Sequence, residues 1–439
     1  MIFDVTNSAF SKTNVGIIMK GVWERLLDDY GDGIDTVLDF GAGKFRNTFY
    51  FLNKGKQVTA VEFKDLAEQS DDAKEMLEKC EKKGNFHHLV FPYPFIGSKG
   101  KYDLVILVNV VPVMPVSVER LLLLDLLYDR VNENKYVLWY TMPEGEYKVI
   151  KEEGNNNFGD GLWMGEKNKH KTFYKFHTKE DIIEMFSLYG FELVKKIPAS
   201  GNDVLLFKKT PYNLLKGMLT PEKIISEIPK DENFKPPSVK FTKVVQTEKI
   251  KEIIPDPYCF SIQKLYSDSL KSIPKGKNPD KYHRLVSLMV LRIFRDSLYN
   301  MSFELDKDRG LKYVDTVFSF YEEGFFGTAI KKHKISCNYI VLEAKNYAFD
   351  IKNEEFDQIG ERLDDHVGKF GLLVCRSIKN KDDAMRRCEA LLNDGGKHII
   401  ILTDDEILNL LDLSIVSDRD AINQFMDQKF RALKFRSKK

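Results

Sequence analysis

Short runs of apolar residues, separated by polar and glycine-containing segments, recur along the chain and predict alternating strands and helices. In the first half, an apolar strand starts at Thr36 and ends in a glycine turn, and a helix follows at about Arg46–Asn53. Further strands are predicted at Gln57–Val61, Tyr102–Leu107 and Asp203–Lys208. This succession of strand, helix and strand indicates an α/β fold built on a βαβ unit.

The second half shows the same alternation, and it begins with a helix whose apolar residues recur at helical spacing. Its predicted elements, in order, are a helix at Tyr282–Asn300, a hairpin of Ser302–Leu305 and Lys312–Phe320, a buried strand at Tyr339–Asn346, and two apolar strands at Phe370–Cys375 and His398–Leu402. The segment Tyr321–Ser336 is long for a hairpin loop. Its aromatic and basic residues are consistent with a loop that contacts nucleic acid or with an ordinary solvated loop.

Charged residues at the end of the buried strand are the main chemical signal of the second half. Glu343 and Lys345 are two residues apart, so their side chains point to the same face of the strand. Asp315 lies on the preceding predicted strand. Two carboxylates and an ammonium group are what metal-dependent cleavage of a phosphodiester requires. The alternative interpretation is a structural Glu–Lys ion pair at a strand end.

This arrangement resembles the PD-(D/E)xK nuclease superfamily, which has the restriction-endonuclease-like fold, over about the last third to two fifths of the chain. The resemblance implies that Asp315, Glu343 and the carbonyl of Ala344 hold Mg²⁺, and that Lys345 positions the attacking water. Many members carry a glutamine on the following helix, which corresponds here to Gln358. A further metal contact, by Glu304 on the neighbouring strand, is a weaker expectation.

The glycine turn of the first half has a ligand-binding pattern. Asp39-x-Gly41-x-Gly43 ends the first strand, and Glu62 ends the second. Glycines let a ligand approach the backbone, and an acid at the tip of the second strand can accept both ribose hydroxyls. The pattern resembles motif I of class I S-adenosylmethionine-dependent methyltransferases, over about residues 13–208. The resemblance implies a Rossmann-like fold and S-adenosylmethionine as cofactor.

The acceptor side of this methyltransferase-like half is less complete. Asn109-Val110-Val111-Pro112 lacks the second proline and the aromatic residue that amino methyltransferases of nucleic acids use to hold a flipped base. Asn109 can line an acceptor site or cap a loop. The stretch from Gly159 to Tyr189 is similar to methyltransferases associated with DNA phosphorothioation systems, which implies a prokaryotic defence role. An ordinary substrate-lid insertion is the alternative.

Composition limits the partners and the compartment. The chain has 439 residues, of which 67 are Lys or Arg and 66 are Asp or Glu, so nucleic acid would have to be bound by local patches. The five cysteines form no C-x-x-C pair, which suits a reducing cytoplasm. No signal peptide is expected at the N-terminus, and no apolar run is long enough to span a bilayer.

Taken together, the expected organisation is a methyltransferase-like domain at 1–209, a proline-rich linker at 210–256 and an α/β nuclease domain at 257–439.

The first functional hypothesis is a Mg²⁺-dependent DNA endonuclease, acting in restriction or antiphage defence, whose first half modifies, senses or gates. The second is a methyltransferase whose nuclease-like half only binds nucleic acid. The third is a non-catalytic adaptor in a defence complex. DNA is the expected partner, RNA remains open, and a homodimer would suit double-strand cutting.

Overall fold

The packing of the chain, in the computed structural model, divides the protein into two compact units. The first is residues 1–258 and the second is residues 259–439. The described residues are 17–63, 71–91, 95, 97–114, 117–140, 148, 156–158, 161–164, 172–199, 202–216, 257–306, 313–415 and 419–436. Most of the expected linker, residues 217–256, lies outside them, so the domain bounds of the sequence analysis stay predictions.

The first unit alternates helices and strands, as its apolar pattern predicts. Its described elements are α1 (Ile17–Tyr30), a 3₁₀ turn (Gly31–Gly33), β1 (Thr36–Phe40), α2 (Arg46–Asn53), β2 (Gln57–Phe63), α3 (Asp71–Glu81), β3 (Phe86–Phe91), β4 (Tyr102–Val108), a second 3₁₀ turn (Val111–Val113), α4 (Ser117–Tyr128), β5 (Val131–Tyr140), β6 (Asn156–Phe158), β7 (Gly161–Met164), β8 (Thr172–Tyr174), α5 (Lys179–Leu188), β9 (Phe191–Ala199) and β10 (Asn202–Lys209).

Seven of these strands form one mixed sheet in the order β3-β2-β1-β4-β5-β10-β9. Strands β1 to β5 are parallel to one another, whereas β10 runs antiparallel to both β5 and β9. The chain order reverses between β1 and β4, and ligands of such sheets bind outside the carboxyl ends of the strands at this switch point. The predicted α/β class and Rossmann-like sheet are therefore confirmed for this unit. Strands β6, β7 and β8 form a separate small sheet.

The core of the first unit is made by the inward positions of the central strands and by one face of two helices. Val37, Leu104 and Leu138 lie on three neighbouring strands and are fully buried. Trp23 of α1 meets Phe51 of α2 edge to face, with ring centroids 5.2 Å apart. Strands buried on both faces explain why their sequences are continuous apolar runs rather than alternating ones.

The second unit is also α/β, and its sheet is smaller. Its described elements are α6 (Pro257–Ser272), α7 (Pro279–Ile293), β11 (Leu298–Asp306), β12 (Tyr313–Phe320), α8 (Gly324–His333), β13 (Ile340–Lys345), α9 (Asn353–Arg362), β14 (Phe370–Cys375), α10 (Lys381–Gly395), β15 (His398–Thr403), α11 (Asp404–Ile415) and α12 (Arg419–Arg436).

The five strands of the second unit follow one another in space as they do in sequence, β11-β12-β13-β14-β15. The first three form an antiparallel meander, and β13, β14 and β15 are parallel. Parallel neighbours need crossover connections, and α9 and α10 supply them. All six residues of β14 are buried, so this strand lies at the centre of the unit.

Two elements of the second unit differ from the sequence expectation. The helix expected at Tyr282–Asn300 ends at Ile293, because Leu298 begins β11 and pairs with Phe320. The segment expected as a hairpin loop contains helix α8, and its Phe325 and Phe326 are 6% and 0% exposed. The prediction that these two aromatic residues stack on bases is therefore wrong, because their rings are part of the core.

Membrane insertion finds no support among the described helices. None of them combines the length and the apolar character that a bilayer crossing requires.

Candidate functional site

The glycine turn of the first unit is held beside the tip of β2. Gly41 and Gly43 have φ values of +71° and +54°, a conformation that residues with a side chain rarely adopt. The backbone N–H of Gly43 donates a hydrogen bond of 2.6 Å to Oε2 of Glu62, which is itself 5% exposed. A β-carbon at Gly41 would lie 2.7 Å from Cγ2 of Val110, so this position also requires glycine for space. The structure thus brings Gly41, Gly43 and Glu62 together.

Asp39 lies beneath this turn and is 2% exposed. Its Oδ2 accepts hydrogen bonds from the backbone N–H of Thr48 at 3.0 Å and from Oγ1–H of Thr48 at 2.7 Å. Burial raises the pKa of Asp39 to about 6, although the Thr48 bonds and the charge of Arg46 act in the opposite direction. Asp39 therefore anchors the first turn of α2 to the end of β1.

The segment after β4 forms the other wall of this region. Asn109 has a φ of +56°, and its N–H donates to the carbonyl of Tyr140 at 2.9 Å. Its side-chain Oδ1 is buried and has no hydrogen-bond partner among the described residues. A loop-capping role for this amide oxygen is not seen there. Asn109 stays a candidate acceptor-site residue, next to the Val110 that covers Gly41.

His177 lies close to this segment and was not singled out from the sequence. It is 2% exposed, and its Nδ1 lies 3.1 Å from the carbonyl of Lys175, whose N–H in turn donates to the carbonyl of Pro112. Burial and the nearby charge of Arg120 hold the pKa of His177 well below its usual range. The imidazole is therefore neutral at pH 7. A lone histidine between a short strand and a helix carries no sequence signal of burial.

Four side chains of the second unit converge at the carboxyl end of β13. Glu343 is 1% exposed, and Nζ of Lys345 lies 2.6 Å from its Oε1. The same ammonium donates a hydrogen bond of 2.7 Å to Oε1 of Gln358 on α9. Arg362, also on α9, forms an ion pair with Oε2 of Glu343. The structure thus brings together Glu343, Lys345 and Gln358, as expected, and adds an arginine.

Arg362 is the residue of this cluster that sequence reasoning missed. It follows Gln358 by four residues on the same helix, so both side chains lie on one face of α9. That spacing was the available signal. The Glu–Lys ion pair of the purely structural interpretation is present, but that interpretation does not require Gln358 to share the same ammonium.

For Asp315 and Glu304, two further predicted metal ligands, the structure describes only the backbone. Thr316 of β12 pairs with Leu342 of β13. Because the two strands are antiparallel, the same register places the backbone of Asp315 opposite that of Glu343. The side chains of Asp315 and Glu304 lie outside the described residues. Ala344 is 7% exposed and sits between the two charged residues of β13.

The fit of a metal ion to this region can be judged from its donors. Carboxylate and carbonyl oxygens are the ligands that Mg²⁺ takes, so the residue types fit. Glu343, however, has both oxygens paired with cations, and a metal would have to replace one of them. Among the side chains that the structure describes, no group of three or more His, Cys, Asp or Glu residues could hold a metal ion.

Comparison with known proteins supplies a fold likeness for the first unit. No protein-family model and no curated protein matches the chain. A solved S-adenosylmethionine-dependent methyltransferase from Methanosarcina mazei is similar at 13% identity and a TM-score of 0.32, over 45% of this chain and 99% of its own. The magnesium protoporphyrin IX methyltransferase of Synechocystis, solved with bound SAH, is similar at 15% identity and a TM-score of 0.33, over 46% of this chain and 90% of its own.

An amino pentose methyltransferase from Micromonospora echinaspora, solved with bound SAM, is similar at 13% identity and a TM-score of 0.32, over 48% of this chain and 98% of its own. The features that define the first unit are its strand order and its glycine turn. The N-terminal 45% or so of the chain resembles class I S-adenosylmethionine-dependent methyltransferases. None of these likenesses identifies the second unit.

Proposed function

We propose that the first unit binds S-adenosylmethionine and that the protein is a methyltransferase-like enzyme. The observation that carries this proposal is the 2.6 Å hydrogen bond between Gly43 N–H and Glu62 Oε2 at the switch point of the sheet. It holds a carboxylate where it can accept hydrogen bonds from two ribose hydroxyls, beside a turn in which Gly41 and Gly43 have positive φ values. The bound cofactor would supply the transferable methyl group.

Each residue of this site has a distinct task. Asp39 holds the start of α2 through Thr48, which keeps the turn in shape. Gly41 and Gly43 admit the cofactor, and Glu62 orients its ribose. Asn109, at the end of β4, offers a buried amide oxygen toward an acceptor, which can be nucleic acid or a small molecule.

Calorimetric titration with S-adenosylmethionine and S-adenosylhomocysteine tests the cofactor site. Glu62→Ala removes a charge-assisted hydrogen-bond pair to the ribose, so we expect a loss of affinity of more than about tenfold. Glu78→Ala, which removes an exposed carboxylate of the same unit, is the matched control and should bind as the wild type does. Absence of binding by the wild type, or equal affinity of the wild type and Glu62→Ala, would contradict the proposal.

A second candidate function belongs to the second unit, and the cluster at the end of β13 favours it. The antiparallel meander, the helix α9 and the parallel strand β14 come in the order that the PD-(D/E)xK resemblance implies. We propose hydrolysis of DNA phosphodiesters there, with Mg²⁺ on Asp315, Glu343 and the carbonyl of Ala344. Lys345, held between Glu343 and Gln358, would position the attacking water.

Cleavage assays with plasmid, linear and single-stranded DNA, and with RNA, test this second function in the presence and absence of Mg²⁺. Glu343→Ala and Lys345→Ala should each lower the cleavage rate by at least about 10²-fold, because each removes a group that acts on the reacting atoms. Lys381→Ala, an exposed lysine of the same unit, should cleave normally. Cleavage by both site variants at the wild-type rate would overturn the site, and their unfolding in circular dichroism would favour the structural ion pair.

The same assays separate the two roles of the second unit. If the wild type binds DNA but does not cut it, the second unit serves the methyltransferase as a nucleic-acid-binding module. If it cuts, restriction or antiphage defence is the proposed setting, in the cytoplasm. A homodimer or a defence-complex partner would then be expected, and sedimentation of the purified chain with and without DNA would detect the dimer.

A further inference from the structure

We infer that Tyr347 and Phe349 form an aromatic platform on which the second unit stacks an unpaired base of single-stranded nucleic acid. The two residues lie between β13, which ends at Lys345, and α9, which begins at Asn353. The inference rests on the nucleic-acid role proposed for the second unit, and it names the form of nucleic acid that this unit takes.

The two rings of the aromatic platform lie nearly parallel, with centroids 5.1 Å apart and planes inclined by 16°. Tyr347 is the inner ring, because it packs against the core of the unit and its hydroxyl donates a hydrogen bond to the carboxylate of Glu355. Phe349 is the outer ring and is 57% exposed. An exposed ring that already rests on a second ring offers a flat surface that matches the face of a base.

The backbone that carries the aromatic platform is fixed on both sides. Before it, Nδ2 of Asn346 donates a hydrogen bond of 3.1 Å to the carbonyl of Pro274. After it, the carboxylate of Asp350 accepts hydrogen bonds from the backbone N–H groups of Lys379 and Asn380 at 2.9 to 3.1 Å. Because the segment is held in this way, a base can stack on the platform with little loss of conformational entropy by the protein.

Two lysines flank the aromatic platform. Nζ of Lys352 lies 5.4 Å from the ring centroid of Phe349. Burial raises the pKa of Tyr347 while the charge of Lys345 acts in the opposite direction, which places that ammonium close to the inner ring. Both ammonium groups are suited to a phosphate of the stacked nucleotide. Exposed Glu354 offsets part of this charge, so stacking should carry most of the affinity.

Fluorescence anisotropy of labelled single-stranded DNA, single-stranded RNA and blunt duplex DNA, with the full-length protein in EDTA, tests this inference. Phe349→Ala should lower the affinity for single strands by at least about fivefold, because it removes the stacking of one base. Phe349→Trp, which keeps a flat ring, should bind at least as tightly as the wild type. Tyr339→Ala, which removes an exposed aromatic residue at the other end of β13, should leave the affinity unchanged.

A fluorescent base separates stacking from a merely structural role of Phe349. 2-Aminopurine in place of an adenine should lose fluorescence when the wild type binds the single strand, because a stacked ring quenches it, and should lose less with Phe349→Ala. The duplex should respond less than the single strands, since its bases are already stacked on one another. The strand that the wild type binds more tightly, DNA or RNA, is the partner.

The outcomes separate this inference from the proposed hydrolysis. Equal affinity of the wild type and Phe349→Ala for single strands would overturn the stacking role, whatever the cleavage assays with Mg²⁺ give. Weaker binding by Phe349→Ala, together with no cleavage by the wild type, would support the platform and overturn the hydrolysis. Absence of binding to any nucleic acid would overturn both. If Phe349→Ala does not fold, Phe349→Leu decides, because it keeps the apolar volume without the flat ring, and wild-type affinity of that variant would overturn the inference.

Discussion

Two buried carboxylates, Asp39 and Glu343, are stabilised by different kinds of partner. Asp39 accepts two hydrogen bonds from Thr48, whereas Glu343 is paired with the ammonium of Lys345 and the guanidinium of Arg362. Hydrogen bonds from one threonine do not offset the burial of Asp39, and its pKa rises to about 6. Asp39 is therefore one residue through which pH should act on the stability of the first unit.

The direction of that effect follows from proton binding. The native Asp39 carboxyl keeps its proton up to about pH 6, whereas its ordinary pKa is 3.8, so the native state binds more protons between these values. The contribution of Asp39 to the free energy of unfolding is full below pH 3.8, and it falls as pH rises from there to about 6. The whole loss amounts to about 3 kcal/mol.

Asp39→Asn should remove this loss, because an asparagine Oδ1 can accept both Thr48 bonds without carrying a charge. We expect the unfolding free energy of the variant to exceed that of the wild type by an amount that grows to about 3 kcal/mol between pH 4 and pH 7. Denaturant unfolding over this pH range measures it, with the exposed Asp32→Asn as control. Parallel pH profiles of Asp39→Asn and the wild type would contradict the assignment.

At the scale of elements, one guanidinium joins several parts of the second unit next to the cluster. Arg376 is 7% exposed, its Nε donates to Oδ1 of Asn346 at 2.6 Å, and its Nη1 lies 2.9 Å from Oδ2 of Asp404. Its guanidinium also lies 4.4 Å from the ring centroid of Tyr282 on α7. Asn346 directly follows Lys345, so this network fixes the end of β13 against α7 and α11.

Arg376→Met should destabilise the second unit by about 2–4 kcal/mol, because it leaves the half-buried Asp404 and the buried oxygen of Asn346 without their cationic partner. Chemical denaturation measures the change. Arg376→Met/Asp404→Asn should recover part of the loss, since the uncompensated charge is then also removed. A loss below about 1 kcal/mol would show that Arg376 does not hold these elements together.

At the scale of the whole molecule, the protein consists of two units with separate sheets. The composition changes between them, with seven prolines from Pro211 to Pro257. Exposed linkers of this composition are preferred sites of proteolysis. The two proposed functions therefore belong to units that are expected to be separable.

Limited proteolysis of the full chain should first cut between residues 211 and 257 and release two stable fragments. Mass spectrometry of the fragments gives the boundary, and thermal unfolding of each gives its independence. Initial cuts inside residues 40–190 or 290–400 would instead show that the chain is not divided there.

The local pattern of the sequence was sufficient for the central strands of both sheets and for part of each candidate site. Apolar runs identify the strands because burial on both faces needs continuous apolar residues, as in β4 and β14. The two-residue period of a strand places Glu343 and Lys345 on one face, and glycine at positions 41 and 43 indicates a turn with a backbone conformation that other residues rarely adopt.

Contacts between residues distant in sequence decided the rest. The pairing of Arg362 with Glu343 and the hydrogen bond from Gly43 to Glu62 depend on how helices and strands pack. The same packing buries Phe325 and Phe326. These residues belong to helix α8, which lies where a loop was expected. Burial also raises the pKa of Asp39, because desolvation is set by the whole surrounding structure and not by neighbouring residues in the chain.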